Sequence, residues 1–193
     1  MDLAEQLRLY RPFNEQEQAD QALILRCFGG PEDLFSRQSR LAHMTASAWI
    51  VNPGRTKVLM AYHNIYRSWA WLGGHADGER DLLQVALREA AEESGLKNVR
   101  PVSPEIYSVE VLTVDGHIKR GAYVSSHLHL NLTYLLEADE KDELFVKPDE
   151  NSGVRWFSPE GAVQASSEPW IRERIYRKLI EKTRELAPRF ATR

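Results

Sequence analysis

Strict alternation marks one stretch of this chain as a strand. In "HLHLNLTYLLEA", Leu128, Leu130 and Leu132 point one way, toward a core, while His127, His129 and Asn131 point the other. "EIYSVEVLTV" has the same β-rich texture. Upstream, "TASAWIVN" and "KVLMAYH" are two more such runs, and the "PGRT" between them sets proline beside glycine, which predicts a hairpin. Elsewhere the apolar period lengthens to that of a helix. "NEQEQADQALILRCFGG" carries Asn14 three residues ahead of Glu17 and closes on Gly29, the marks of a capped helix, so residues 1 to about 40 read as helical. "SPEGAVQA" predicts a short helix begun by Ser158 and Pro159. "SSEPWIRERIYRKLIEKTREL" predicts an amphipathic one with Trp170, Ile171, Ile175, Leu179 and Leu186 toward the core. Strands interleaved with helices, some strands adjacent as hairpins, predict an α/β fold. A mixed sheet covered by helices on two faces occupies residues 42–193, behind a helical N-terminal extension over 1–41.

Between the strands lies "GGHADGERDLLQVALREAAEESGL", Gly73 to Leu96. Asp81 with Gln84 makes an N-terminal capping box and Gly95 supplies a left-handed C-cap, so the helix spans about Leu82 to Ser94. At about 100° per residue, Leu82, Leu83, Ala86, Leu87 and Ala90 share one buried arc. Glu89, Glu92 and Glu93 fall together beside it. Like charges at these spacings repel, and they crowd the negative end of the helix dipole, two effects of a few tenths of a kcal/mol or more each. Arg88 reaches Glu92 at i+4, but one guanidinium does not neutralise three carboxylates; a divalent cation would. An all-oxygen set suits Mg²⁺ or Mn²⁺, and Mg²⁺ takes its remaining ligands from water and substrate phosphates. An acidic helix end is more often a solvated face, yet the flanking glycines, the cap, the spacing and the terminating glycine seldom coincide by chance.

The remaining composition narrows the classes. The 193 residues carry a net charge of -3, so no basic field recruits nucleic acid or an anionic membrane. Cys27, within the apolar run "ALILRCF", reads as a buried thiol in a reducing compartment. The N-terminus is charged from its second residue and no apolar run approaches a membrane span, which predicts a soluble, cytoplasmic protein.

The Gly73–Leu96 stretch resembles the Nudix box, G-x5-E-x7-R-E-U-x-E-E-x-G-U with U bulky and apolar. Arg88, Glu89, Glu92, Glu93, Gly95 and Leu96 match its second half, with Ala90 small where bulk is usual. Gly73 to Glu79 keeps the first spacing, but eight residues rather than seven separate Glu79 from Arg88. Counting from Gly74 restores both spacings and puts Arg80 in the glutamate's place. The first alignment is preferred, because an extra residue can bulge in the loop ahead of the Asp81 cap without moving the three glutamates.

The resemblance implies a Nudix-type α/β/α sandwich over 42–193. It also implies Mg²⁺- or Mn²⁺-dependent hydrolysis of a nucleoside diphosphate linked to another moiety, by attack of metal-activated water on phosphorus. Glu89, Glu92 and Glu93 would ligate the ion, backbone at Gly73 and Gly74 would complete its shell, and Arg88 would orient a glutamate. The general base would be Glu89, Glu93 or a carboxylate of "KPDENSG", Glu150 ahead of Asp149. Near the substrate, His75 belongs to the glycine loop, and Trp69, Trp71 and Tyr66 are placed where an aromatic could stack a base, although an aromatic core at a strand is the more ordinary reading of each. His127 and His129, without a third ligand nearby in sequence, read as half-buried polar residues. Two rivals stand beside the hydrolase. A Nudix-like sensor would bind a nucleotide derivative without cleaving it, and predicts eroded box glutamates. An isopentenyl diphosphate isomerase would want a cysteine near the diphosphate, and Cys27 lies far ahead of the box. The family is frequently dimeric; here the terminal helices serve equally well as intramolecular cover.

Overall fold

The computed structural model describes residues 2–119 and 121–190. Its helices are α1 (Leu3–Leu9), α2 (Glu15–Cys27), α3 (Leu82–Ser94), α4 (Pro159–Ala165) and α5 (Arg177–Phe190), the last entered through a π-helical segment, Ile171–Tyr176. The strands are β1 (Ala42–Val51), β2 (Val58–His63), β3 (Ser68–Ala70), β4 (Leu72–His75), β5 (Arg100–Pro101), β6 (Ser108–Val114), β7 (His117–Lys119), β8 (Ala122–Val124), β9 (His127–Glu137) and β10 (Asn151–Phe157). The chain divides into two compact units. One is Met1–Ser47, Gly73–Ala86 and Glu105–Tyr134; the other is Ala48–Leu72, Leu87–Pro104 and Leu135–Arg193.

In the first unit β6 pairs antiparallel with β9, setting Val114 opposite His127 and Leu112 opposite His129. Strand β4 lies on β1, where the Ala76 amide donates to the Met44 carbonyl at 3.1 Å. Helix α2 covers β6: the Gln16 side chain donates to the Val109 carbonyl at 3.0 Å, and the Val111 amide donates to Asp20 at 2.9 Å. The N-terminal segment is thus helical over α1 and α2, while residues 28–41 form turns, which corrects the helical reading at its C-terminal end. Cys27 is half-buried rather than buried. Asn131, expected on the face away from the core, is only 1% exposed. Thr45 and Ser47 donate to its side-chain oxygen at 3.0 and 2.9 Å, and its amide donates to Glu110 at 2.9 Å. Both faces of β9 are therefore covered there, and the polar one is satisfied by hydrogen bonds rather than by water.

In the second unit the strand order is β10–β2–β1–β9–β5, with β3 added to β2. The "PGRT" hairpin joins β1 to β2 with Val51 opposite Val58. Asn52 closes it, its side-chain oxygen accepting from the amides of Thr56 and Lys57 at 2.8 and 2.9 Å. Trp49 stacks on Tyr176 at 5.5 Å in a core that includes Leu59, Met60, Ile175 and Leu179. Of the apolar residues expected to face inward on the last helix, Ile175 and Leu179 do so, but Trp170 is 48% exposed. Tyr176 and Ile180 go inward with Ile175 and Leu179, the i, i+1, i+4, i+5 face of an ordinary helix; Ile171 and Leu186 are half-buried, and Trp170, five positions ahead of Ile175, falls off that face. Among the described residues no helix is long and apolar enough to cross a membrane.

Candidate active site

Helix α3 runs uninterrupted from Leu82 to Ser94, as its caps dictate. Asp81 accepts from the amides of Leu83 and Gln84 at 3.1 and 3.3 Å. Ahead of it, Asp77 and Gly78 both have positive φ, and the Glu79 amide donates to the Ala76 carbonyl at 2.9 Å. This tight turn takes up chain length in the loop, upstream of the cap. Glu79 is turned to local work, its carboxylate accepting from the amides of Arg80 and Asp81 at 2.7 and 2.9 Å. At the far end Gly95 adopts φ +74°, and its amide donates to the Ala91 carbonyl at 2.8 Å. Two more terminal carbonyls find distant donors: Asn151 donates to the Glu93 carbonyl at 2.9 Å, and the Phe145 amide to the Ser94 carbonyl at 2.8 Å.

The buried stripe of α3 holds Leu82, Val85, Ala86 and Ala90, with Leu83 and Leu87 half-buried. Glu93 continues that stripe and is 7% exposed. In the second unit, carboxylate oxygens of Glu89, Glu93 and Glu150 lie within 4.8 Å of one another. Burial holds the Glu89 carboxyl above the usual range, against the pull of Arg88, whose guanidinium donates to it at 3.0 Å. Glu92 faces elsewhere: the Lys147 ammonium is 3.0 Å from it and 3.1 Å from Glu150. Burial pulls that ammonium down, but the hydrogen bonds to Glu92 and Glu150 outweigh it and keep Lys147 charged well above neutrality. The Asn64 amide donates to the Glu150 carbonyl at 3.0 Å and its side chain to the Pro148 carbonyl at 3.2 Å, which pins the 147–151 turn. Three carboxylates and no thiolate are a donor set suited to a hard divalent ion. Lys147 and Asn151, both in or beside the "KPDENSG" loop, carry no spacing signal that ties them to α3.

The other expected residues have structural occupations. Trp69 is half-buried between Tyr62 and Phe157, edge-on to both, with the Arg155 guanidinium 4.7 Å from its ring. Trp71 meets Tyr176 edge-on at 5.6 Å, and its amide donates to the Tyr176 hydroxyl at 3.1 Å. Tyr66 is 47% exposed against His63. Gly73, Gly74 and His75 belong to the first unit. A Cβ at Gly73 would fall 2.4 Å from the Ala46 carbonyl oxygen, so the glycine is needed for the close approach of β4 to β1. Of the six histidines, His75, His127 and His129 are joined by a fourth, His43, isolated in sequence. Burial, reinforced by the neighbouring rings His75, His43 and His127 and by Arg37, holds His129 far below the usual histidine range; burial also lowers His43.

A model of the NUDIX domain matches residues 41–179. No curated protein matches the chain. Among solved structures the chain is similar to a Nudix-family hydrolase from Clostridium perfringens, at 24% identity over 75% of this chain and 97% of that one, with a TM-score of 0.53. It is also similar to an Ap4A hydrolase from C. elegans, at 17% identity over 76% and 98% with a TM-score of 0.51. A third neighbour is the dihydroneopterin triphosphate pyrophosphohydrolase of E. coli, at 13% identity over 72% and 94% with a TM-score of 0.54. The box on α3, the α/β fold and a domain match over most of its length agree, and the chain belongs to the Nudix hydrolase family.

Proposed function

We propose that this Nudix hydrolase cleaves the phosphoanhydride of a nucleoside diphosphate linked to another moiety, with Mg²⁺ or Mn²⁺ held by Glu89, Glu93 and Glu150. The observation that carries the reading is the convergence of these three carboxylates, one of them buried, at the end of a helix that already disfavours negative charge. The two named neighbours support it to the extent that Ap4A and dihydroneopterin triphosphate both contain phosphoanhydrides. When bound, the ion supplies Lewis acidity that offsets phosphate charge and favours attack of water on phosphorus.

The chain's own groups do the rest. Arg88 holds Glu89 by a charge-assisted hydrogen bond and fixes its orientation. Asn151 ties the turn bearing Glu150 to the backbone of Glu93, which keeps the two carboxylates in register. Glu150 is our choice of general base, and Glu89 and Glu93 are the alternatives. Glu92 joins the ligands only by giving up Lys147. The test is a screen of nucleoside diphosphate sugars, dinucleoside polyphosphates, nucleoside triphosphates and capped RNA with Mg²⁺ and Mn²⁺. Ion-dependent hydrolysis of one class is the expected result. Tight binding of one class with hydrolysis of none would favour the sensor reading instead.

A further inference from the structure

The first unit gathers four imidazoles where the family reading asks for none. His43 lies near the start of β1, His75 ends β4, and His127 and His129 stand two apart on one face of β9. The His43 ring centroid is 5.1 Å from His75, 4.8 Å from His127 and 5.1 Å from His129, and His75 is 4.8 Å from His129. His43, His75 and His129 each offer a ring nitrogen, all within 4.8 Å of one another.

Two hydrogen bonds decide which nitrogens are available. His43 Nδ1 donates to the Ser39 carbonyl at 3.0 Å, and His127 Nδ1 donates to the Ser125 carbonyl at 2.9 Å. A neutral imidazole anchored in this way carries its lone pair on Nε2. His43 Nε2 is buried and has no hydrogen-bond partner, and His127 Nε2 accepts from His129 Nε2 at 3.3 Å, which leaves the His129 lone pair on Nδ1. The buried lone pair of His43 Nε2 meets no donor, and a cation would satisfy it. An anion would need N–H donors there, and the anchored Nδ1 atoms of His43 and His127 have already committed theirs to carbonyls. Anchoring of Nδ1–H on a backbone carbonyl is also how metal-ligating histidines are oriented.

We propose that His43, His75 and His129, with His127 beside them, bind a transition-metal dication such as Zn²⁺ or Co²⁺ through imidazole nitrogens. Imidazole prefers such ions to Mg²⁺, so this site and the carboxylate cluster select different metals. Three imidazoles leave a coordination position open, for water or for His127.

The test uses the full chain without a histidine tag, stripped by a chelator and titrated with Co²⁺ and Zn²⁺. Stoichiometric Co²⁺ binding with the visible d–d absorption of a nitrogen-ligated, low-coordinate ion is expected. X-ray absorption of the Zn²⁺-loaded wild type should show imidazole scattering, a readout that requires no variant to fold. His129→Asn and His43→Asn should each weaken Zn²⁺ binding on the order of 100-fold, whereas Glu93→Gln should leave it unchanged. An all-oxygen shell, the absence of stoichiometric binding, or loss in Glu93→Gln with retention in His129→Asn would overturn the proposal. None of these outcomes depends on hydrolytic activity, so the site stands or falls apart from the hydrolase reading.

Discussion

The ammonium of Lys147 lies 3.0 Å from a carboxylate oxygen of Glu92, so a cation of the chain's own already neutralises part of the acidic helix end. The same nitrogen is 3.1 Å from Glu150. Lys147→Met removes a positive charge beside the proposed ion and frees Glu92, so Mn²⁺ affinity should rise by roughly a few-fold. Because Glu92 is half exposed, the metal-free protein should lose less than about 1 kcal/mol of stability. A Mn²⁺ titration followed by electron paramagnetic resonance checks the first outcome. Unchanged affinity would show that lysine and ion do not compete for these carboxylates.

Of the three clustered carboxylates Glu93 is the least able to be explained by solvation, being 7% exposed on the buried stripe of α3. Glu93→Gln keeps its shape and removes its charge. Ion-dependent turnover should fall on the order of 10³-fold, several kcal/mol of transition-state stabilisation, while the melting temperature changes little. Activity within a few-fold of wild type would sink the assignment. For Glu150→Gln, a role as base predicts loss of kcat with little change in KM.

The Glu89 carboxyl, held above its usual range chiefly by burial, links stability to pH and to metal. A carboxyl raised in the folded state favours folding while protonated, and that contribution is lost as pH rises through its folded titration. The metal-free protein should therefore lose stability through the range just above the ordinary glutamate pKa. A bound dication favours the ionised carboxylate, so the rise in melting temperature caused by Mg²⁺ should be larger at about pH 8 than at about pH 5. Thermal scans at both pH values with and without Mg²⁺ decide it, and an equal rise at both would remove Glu89 from the ligands.

What the sequence discloses is what is local. Asp81, Gly95 and the apolar spacing define α3 entirely within its own residues, and the structure ends the helix where they do. Glu150 could be chosen from "KPDENSG" because it is acidic, but its approach to α3 depends on Asn151 reaching the Glu93 carbonyl, a contact 58 positions apart. His43 is the extreme case. Alone in "LAHMT", it gives no period and no spacing, and only the folding of β1, β4 and β9 brings it to the other rings. Trp170 is misjudged for a different reason: it lies five positions ahead of Ile175, off the face that Ile175 and Leu179 share at about 3.6 residues per turn, so its size rather than its spacing suggested burial.

Gly73 separates two explanations of the glycine half of the box. A Cβ there would lie 2.4 Å from the Ala46 carbonyl oxygen, 2.8 Å from Ser47 Cα and 2.9 Å from Ser47 Oγ. Two of these atoms are backbone, and the third is held by its hydrogen bond to Asn131 at 2.9 Å, so the neighbours cannot simply swing away. Gly73→Ala should force β4 off β1 and strain the Ala76–Met44 hydrogen bond, at a cost of about 1–3 kcal/mol. For a chain of this length that corresponds to a fall in melting temperature of roughly 2–12 °C, present with or without Mn²⁺. A glycine kept only so that its carbonyl can approach an ion predicts the reverse: an unchanged melting temperature in the metal-free protein and weaker Mn²⁺ binding. Calorimetry of the metal-free variant, followed by the same Mn²⁺ titration, tells the packing glycine from the ligand glycine.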